Sequence, residues 1–162
     1  MPMHVLVLCT GNSARSIVAE KLIEKKGAGV LTAASAGSRP TGKVNPTAIA
    51  MLADKGYDTS QLASKTMDVH LDGPPIDIVI TVCDSAKDDP CAVWPGAPIT
   101  VHWSLPDPAY IEPDQARRDA FEKVYTALEP AVDCLLRAVK EGLKSDTLRA
   151  ALVAAAPELK EF

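Results

Sequence analysis

A continuous apolar run, HVLVLC at residues 4–9, leads straight into a loop of small residues, TGNSA at 10–14, and then into an amphipathic stripe. A run without polar alternation fits a strand covered on both faces, as in a parallel sheet buried beneath helices. From Ser13 to Lys26, the residues Ala14, Ile17, Val18, Leu22 and Ile23 share one helical face, with charges opposite. The same alternation continues along the chain. GVLTAASAG (29–37) reads as a weaker strand ending in a glycine turn, and NPTAIAMLADKG (45–56) as a helix with Pro early and Gly at its end. IDIVITVC (76–83), the most β-branched run, and APITVHW (97–103) supply two further strands. From Asp114 to about Gly142, the spacing of Ala120, Val124, Leu128, Val132, Leu135 and Leu136 predicts a long amphipathic helix, with Pro130 placed to bend it. A short terminal helix is expected from about Ser145. Strands alternating with helices predict an α/β fold: a four-stranded parallel sheet with helices on both faces.

Length and composition narrow the function classes. The 162 residues are enough for one domain, expected over 1–162, whose core needs no metal or disulfide staple. A formal net charge of −4, without runs of Lys or Arg, argues against a nucleic-acid partner. No apolar stretch reaches the ~20 residues of a membrane span, so no membrane association is expected. The Met-Pro-Met-His start enters a strand pattern without a leader's charged region and cleavage site, and cytoplasmic localisation is the expectation. In that compartment four cysteines are expected to be reduced, catalytic or metal-binding rather than a disulfide framework.

The loop after the first strand carries the chemistry. A strand-loop-helix unit puts Cys9 at the carboxyl edge of the sheet, where open α/β sheets bind ligands. Unpaired N–H groups of Thr10, Gly11, Asn12, Ser13, Ala14, Arg15 and Ser16, at a helix start, favour an anion. Gly11 permits tight curvature, and Asn12 tolerates the left-handed conformation. Arg15 adds a planar fork matched to two oxygens of a tetrahedral oxyanion. The same field is expected to lower the Cys9 pKa and make a thiolate nucleophile, with Ser13 or Ser16 donating a hydrogen bond to the sulfur. Taken alone, C-x5-R is equally a buried strand-end cysteine followed by a chance arginine; the strand before it and the helix after it favour the catalytic reading.

CTGNSARS resembles the catalytic loop of the low-molecular-weight phosphotyrosine phosphatase superfamily, and within it the arsenate reductase branch. SAG (35–37), NP (45–46), TVC (81–83) and HWSLPDPA (102–109) fall where that branch has its landmarks. The resemblance implies a four-stranded parallel sheet flanked by helices, a flavodoxin-like three-layer sandwich. It also implies Cys9 as nucleophile, Arg15 as oxyanion binder and Asp107 as general acid. Asp107 makes chemical sense besides, since an oxygen leaving a tetrahedral centre needs a proton. Pro-Asp-Pro by itself is as much a surface turn.

Cys83 and Cys91 distinguish the two branches. A phosphatase needs only Cys9, whereas a reductase must transfer two electrons, for which thiols are a natural source. Cys83, at a strand end, is expected on the same sheet edge as Cys9. The relay expected from the reductase branch passes a disulfide from Cys9–Cys83 to Cys83–Cys91 and then to thioredoxin, or to glutaredoxin with glutathione. If residues 83–91 were helical, their two cysteines would lie roughly 12 Å apart, whereas a disulfide needs about 4.4–6.8 Å between Cα atoms. DSAKDDP (84–90) must therefore be a loop or unwind on oxidation. Alternatively, Cys83 is a core thiol and Cys91 a loose surface cysteine. A zinc site of Cys83, Cys91 and His102 lacks a fourth ligand, and no metal or other cofactor is expected. Cys134 is expected in the core.

Three further residues follow from the resemblance. In some arsenate reductases a potassium ion supports the loop beside the residues matching Asn12, Glu20 and Ser35, together with an acidic group. The acidic position falls on Lys65, whose ammonium either replaces the ion or is simply solvated. Ala14 stands where many phosphatases carry a second loop cysteine. DPAY offers only Tyr110 where they place aromatic residues, which weakens the alternative of an aryl or tyrosine phosphatase. A non-catalytic redox sensor using the same thiols is a third reading. A monomer is expected.

Overall fold

The computed structural model describes residues 2–83, 94, 96 and 99–162. In chain order its elements are β1 (Met3–Cys9), α1 (Arg15–Lys26), β2 (Leu31–Gly37), α2 (Pro46–Asp54), a 3-10 helix (Met67–His70), β3 (Ile78–Thr81), β4 (Ile99–His102), α3 (Asp114–Lys140) and α4 (Ser145–Ala154). The four strands form one parallel sheet in the order β2-β1-β3-β4. β1 is central and Val5 to Cys9 are all buried, as an unbroken apolar run requires.

The two faces of the sheet are covered differently. Val5, Val7, Ile78, Ile80, Ile99 and Val101 enter the larger core, which all four α-helices share. Leu6, Leu8, Ala36 and Val79 form a smaller cluster closed by Met67 of the 3-10 helix, Ile76 and Trp94. The alternation of side chains along each strand assigns neighbours to opposite layers. Among the described residues the α-helices cover the face of the larger core and the 3-10 helix packs on the other face.

Element ends shift by a few residues from the sequence expectation, and the shifts have causes. α1 begins at Arg15 rather than Ser13, because residues 10–14 are drawn into a loop in which Asn12 has a φ of 48°. α2 is capped by Asn45, whose side chain accepts from the Thr47 N–H at 2.9 Å, with Pro46 in the first turn where its missing N–H is harmless. α3 continues through Pro130. The predicted strand at 97–103 begins at Ile99; residues 97 and 98 lie outside the described residues.

The strand order reverses at β1: the chain goes out to β2 on one side and returns to β3 on the other. The carboxyl ends of β1 and β3 therefore lie side by side at the point where open α/β sheets bind ligands. Leu8 pairs with Thr81, and the Val82 N–H continues the ladder to the Leu8 carbonyl at 3.0 Å. Cys9 and Cys83 are thereby brought to one edge.

Candidate active site

Residues 10–14 are held from outside by their carbonyls. The Thr10 oxygen accepts from Arg39 N–H at 2.9 Å, and the Ser13 oxygen from Asn45 N–H at 2.9 Å. Gly11 O accepts from Thr41 N–H at 3.0 Å and from the Ser64 hydroxyl at 2.9 Å. In a planar trans peptide the N–H points opposite to the C=O, so the amides of Gly11 and Ala14 face away from these partners. The Gly11 N–H meets the Cys9 sulfur. β2 must approach closely for this arrangement. A Cβ on Gly37 would stand 2.5 Å from the Thr10 oxygen and 3.1 Å from Asn12, so only glycine fits.

Asn12 is fully buried and locks the left-handed turn. Its amide donates to Ser16 Oγ and Ser35 Oγ, both at 2.9 Å, while its oxygen accepts from the Lys65 N–H at 2.9 Å. Ser35 in turn donates a short hydrogen bond to Glu20. The Lys65 ammonium completes the cluster, 3.4 Å from Ser35 Oγ, 3.8 Å from Glu20 Oε1 and 3.0 Å from the Ala63 carbonyl. Partial burial holds its pKa below the usual lysine value, against the opposing pull of Glu20. The four residues expected to support the loop thus meet in one network, with an ammonium inside it.

Arg15 spans the cavity between the loop and the segment carrying Asp107. Its Nη1 donates to the Leu105 carbonyl at 2.9 Å, and Nη2 lies 3.6 Å from Asp107 Oδ2. Nε is the buried side-chain donor left without a hydrogen-bond partner among the described residues. A buried guanidinium with an unmet donor calls for an acceptor, and an oxyanion supplies one. Asp107 is fixed by buried Pro106 and Pro108 and by the Ala109 N–H donating to its Oδ1 at 2.9 Å. A cavity of about 490 Å³ is lined by Cys9, Gly11, Arg15, Cys83 and Asp107 among others. Tyr110 lines it too and is 79% exposed.

The sulfur chemistry departs from the sequence expectation. Cys9 and Cys83 are both buried thiols in hydrogen-bond contact. That contact and then burial push the Cys9 thiol well above the ordinary cysteine value, outweighing the opposite pulls of Arg15 and the Gly11 N–H. The expected low pKa reckons with the arginine and the amides but not with a hydrogen bond between the two thiols, although both are expected at one sheet edge. Among the described residues the sulfur's hydrogen bonds are with Cys83 and the Gly11 N–H, while Ser16 Oγ accepts from the Asn12 amide.

Cys91 lies outside the described residues, as does the 84–90 segment expected to be a loop or to unwind. Among the described residues, no three His, Cys, Asp or Glu side chains gather as a metal site, and no helix is long and apolar enough to cross a membrane. His102 bonds to Thr81 Oγ1 at 2.7 Å and Trp103 is fully buried just before the acid loop. Cys134 is half-buried rather than in the core, in a groove between α3 and the C-terminal segment. Sequence reasoning missed Ser64 and the Leu105 carbonyl, which no local pattern marks. Gly37 it quoted only as part of SAG, although a glycine at a strand end beside a ligand loop is a readable signal.

Comparisons with known proteins agree with this geometry. A sequence model of the low molecular weight phosphotyrosine protein phosphatase family matches residues 4–145. An arsenate reductase of Halalkalibacterium halodurans is 36% identical over 121 residues, covering 74% of this chain and 85% of that protein. A glutaredoxin arsenate reductase of Synechocystis is 34% identical over 104 residues, 64% of this chain and 77% of that protein. A solved arsenate reductase in the phosphate binding state superposes with a TM-score of 0.68 at 28% identity, covering 85% of this chain and 98% of that one.

Proposed function

The chain belongs to the low molecular weight phosphotyrosine protein phosphatase family, and we propose that within it this protein reduces arsenate to arsenite with its own thiols as the immediate electron source. The observation that carries this reading is the Cys83 thiol in contact with Cys9 at the base of an oxyanion cradle. A phosphatase, which needs only Cys9, Arg15 and Asp107, leaves that thiol without a role. Relatives at 34–36% identity are arsenate reductases.

The steps follow from the geometry. Arsenate sits on the inward amides and the Arg15 fork, where Nε gains its acceptor. Asp107 lines the cavity beside Arg15 and serves as the acid facing a departing oxygen. Cys9 gives its proton to the bound arsenate dianion and attacks arsenic as the thiolate; the As–OH bond breaks and the hydroxyl leaves as water with the proton from Asp107. The Cys83 thiolate then attacks Cys9 Sγ, forming an S–S bond. The S–As electron pair stays on arsenic, which leaves as arsenite, reduced by two electrons. Cys91 attacks Cys83, releasing Cys9 as thiolate and carrying the disulfide to a dithiol donor of the thioredoxin or glutaredoxin class. The Lys65 ammonium takes the part of a supporting cation, holding Glu20, Ser35 and, through Ser35, the Asn12 turn.

The test is arsenate-dependent NADPH oxidation in the presence of thioredoxin and thioredoxin reductase, with Cys9→Ser, Cys83→Ser and Cys91→Ser beside the native chain. Loss of turnover in all three supports the relay. Hydrolysis of an aryl phosphate through Cys9 alone, with no arsenate-dependent oxidation under thioredoxin or glutaredoxin, refutes it.

A further inference from the structure

The family match ends at residue 145, where α4 begins. This helix nevertheless packs into the main core: Leu148 and Leu152 are fully buried, and α4 lies against β4 and α3. It also makes two polar ties to β4 and its extension. Arg149 Nε donates to the Thr100 carbonyl at 3.3 Å, and the indole N–H of Trp103 donates to the Leu152 carbonyl at 2.9 Å. The second tie is the stronger constraint. Trp103 is among the largest fully buried side chains, and a buried indole N–H needs an acceptor. Leu152 lies in the last turn of α4, and its carbonyl, which also accepts from the Ala155 N–H at 3.2 Å, gives the buried indole its acceptor.

Trp103 stands four residues before Asp107. Its backbone N–H closes the sheet ladder on Thr81 at 2.7 Å, the carbonyl of Leu105 is taken by Arg15, and Asp107 follows immediately after Pro106. The acid segment is therefore anchored at its root by α4 and at its middle by the guanidinium that binds the oxyanion. We propose that α4 is an appended positioning element, and that the Trp103–Leu152 hydrogen bond sets where Asp107 stands over the cavity. Trp103 acts through Asp107 and touches no substrate. This inference rests on the acid role of Asp107 in the proposed reaction.

The experiment is a double-mutant cycle on arsenate turnover in the full-length chain, combining Trp103→Phe with Asp107→Asn and recording kcat, KM and the pH profile. Displacing a catalytic group by a fraction of an ångström to one ångström costs roughly ten- to a hundred-fold. Trp103→Phe should lower kcat in that range, leave KM for arsenate within about two-fold, and flatten the alkaline fall in rate that a general acid imposes. In the Asp107→Asn background the same substitution should cost less than about two-fold, because the group it positions is already disabled. Leu152→Ala, which keeps the indole and loosens α4, should repeat this pattern more weakly and serves if Trp103→Phe fails to fold. An undiminished kcat in folded Trp103→Phe, or losses that multiply in the double variant, would overturn the proposal alone. Native turnover in Asp107→Asn would overturn the acid role and the proposal with it.

Discussion

Asn12→Ala removes the residue on which the loop turns. Three hydrogen bonds disappear, to Ser16, Ser35 and the Lys65 N–H. Each is worth about 1 kcal/mol net, and more where the partner is left buried and unmet. The serine hydroxyls can rotate, and Ser35 already donates to Glu20, so the stranded Lys65 amide carries the larger share. Alanine also pays about 1 kcal/mol to stay left-handed at a φ of 48°. The sum is roughly 4 kcal/mol. With a urea slope of about 2 kcal/mol/M the unfolding midpoint falls by roughly 2 M. Asn12→Gly separates the two contributions. It loses the same three bonds but not the left-handed cost, and its own chain entropy returns part of that gain, so it should unfold about 0.5 kcal/mol later than the alanine variant. Urea melts followed by circular dichroism, with phosphate titrations on the same samples, give both numbers. A midpoint shift below about 0.5 M for Asn12→Ala, or a glycine variant less stable than the alanine one, would refute the assignment of Asn12 as the keystone of the cradle.

Other perturbations test other links. Because the Cys83 thiol is the leading cause of the raised Cys9 pKa, Cys83→Ala should move the pH midpoint of Cys9 alkylation downward and speed iodoacetamide modification at pH 7; an unchanged or higher midpoint contradicts the pairing. Gly37→Ala drives a methyl to 2.5 Å from the Thr10 carbonyl, so it should cost about 1–3 kcal/mol as overpacking does and weaken phosphate binding measured by calorimetry, whereas native affinity would show that the strand end has room. If the Lys65 ammonium supplies the supporting charge, exchanging sodium for potassium should leave native turnover unchanged; a several-fold rise with potassium would show that an ion still does that work.

The sequence by itself determined whatever is written locally. HVLVLC and IDIVITVC read as strands because both faces of β1 and β3 are buried and no polar alternation interrupts them. α2 and α3 read as helices because their caps and apolar stripes lie within one segment. The cradle was legible for the same reason: Cys9, the small loop residues and Arg15 are contiguous, and a strand before them with a helix after leaves few geometries. The tertiary structure alone decided everything that crosses the sheet. The strand ends already imply one edge for Cys9 and Cys83; the structure adds the hydrogen bond between the two thiols, which reverses the expected direction of the Cys9 pKa. Through the same long-range closure, Gly37 came against Thr10, Ser64 and Lys65 came behind the loop, and the Leu105 carbonyl came onto Arg15. It also bound α4 to the root of the acid segment through a backbone carbonyl, a group every residue carries and no sequence pattern marks. Local periodicity fixes which face a residue presents; which partner meets that face depends on strand order, and the order β2-β1-β3-β4 is settled only when the whole sheet closes.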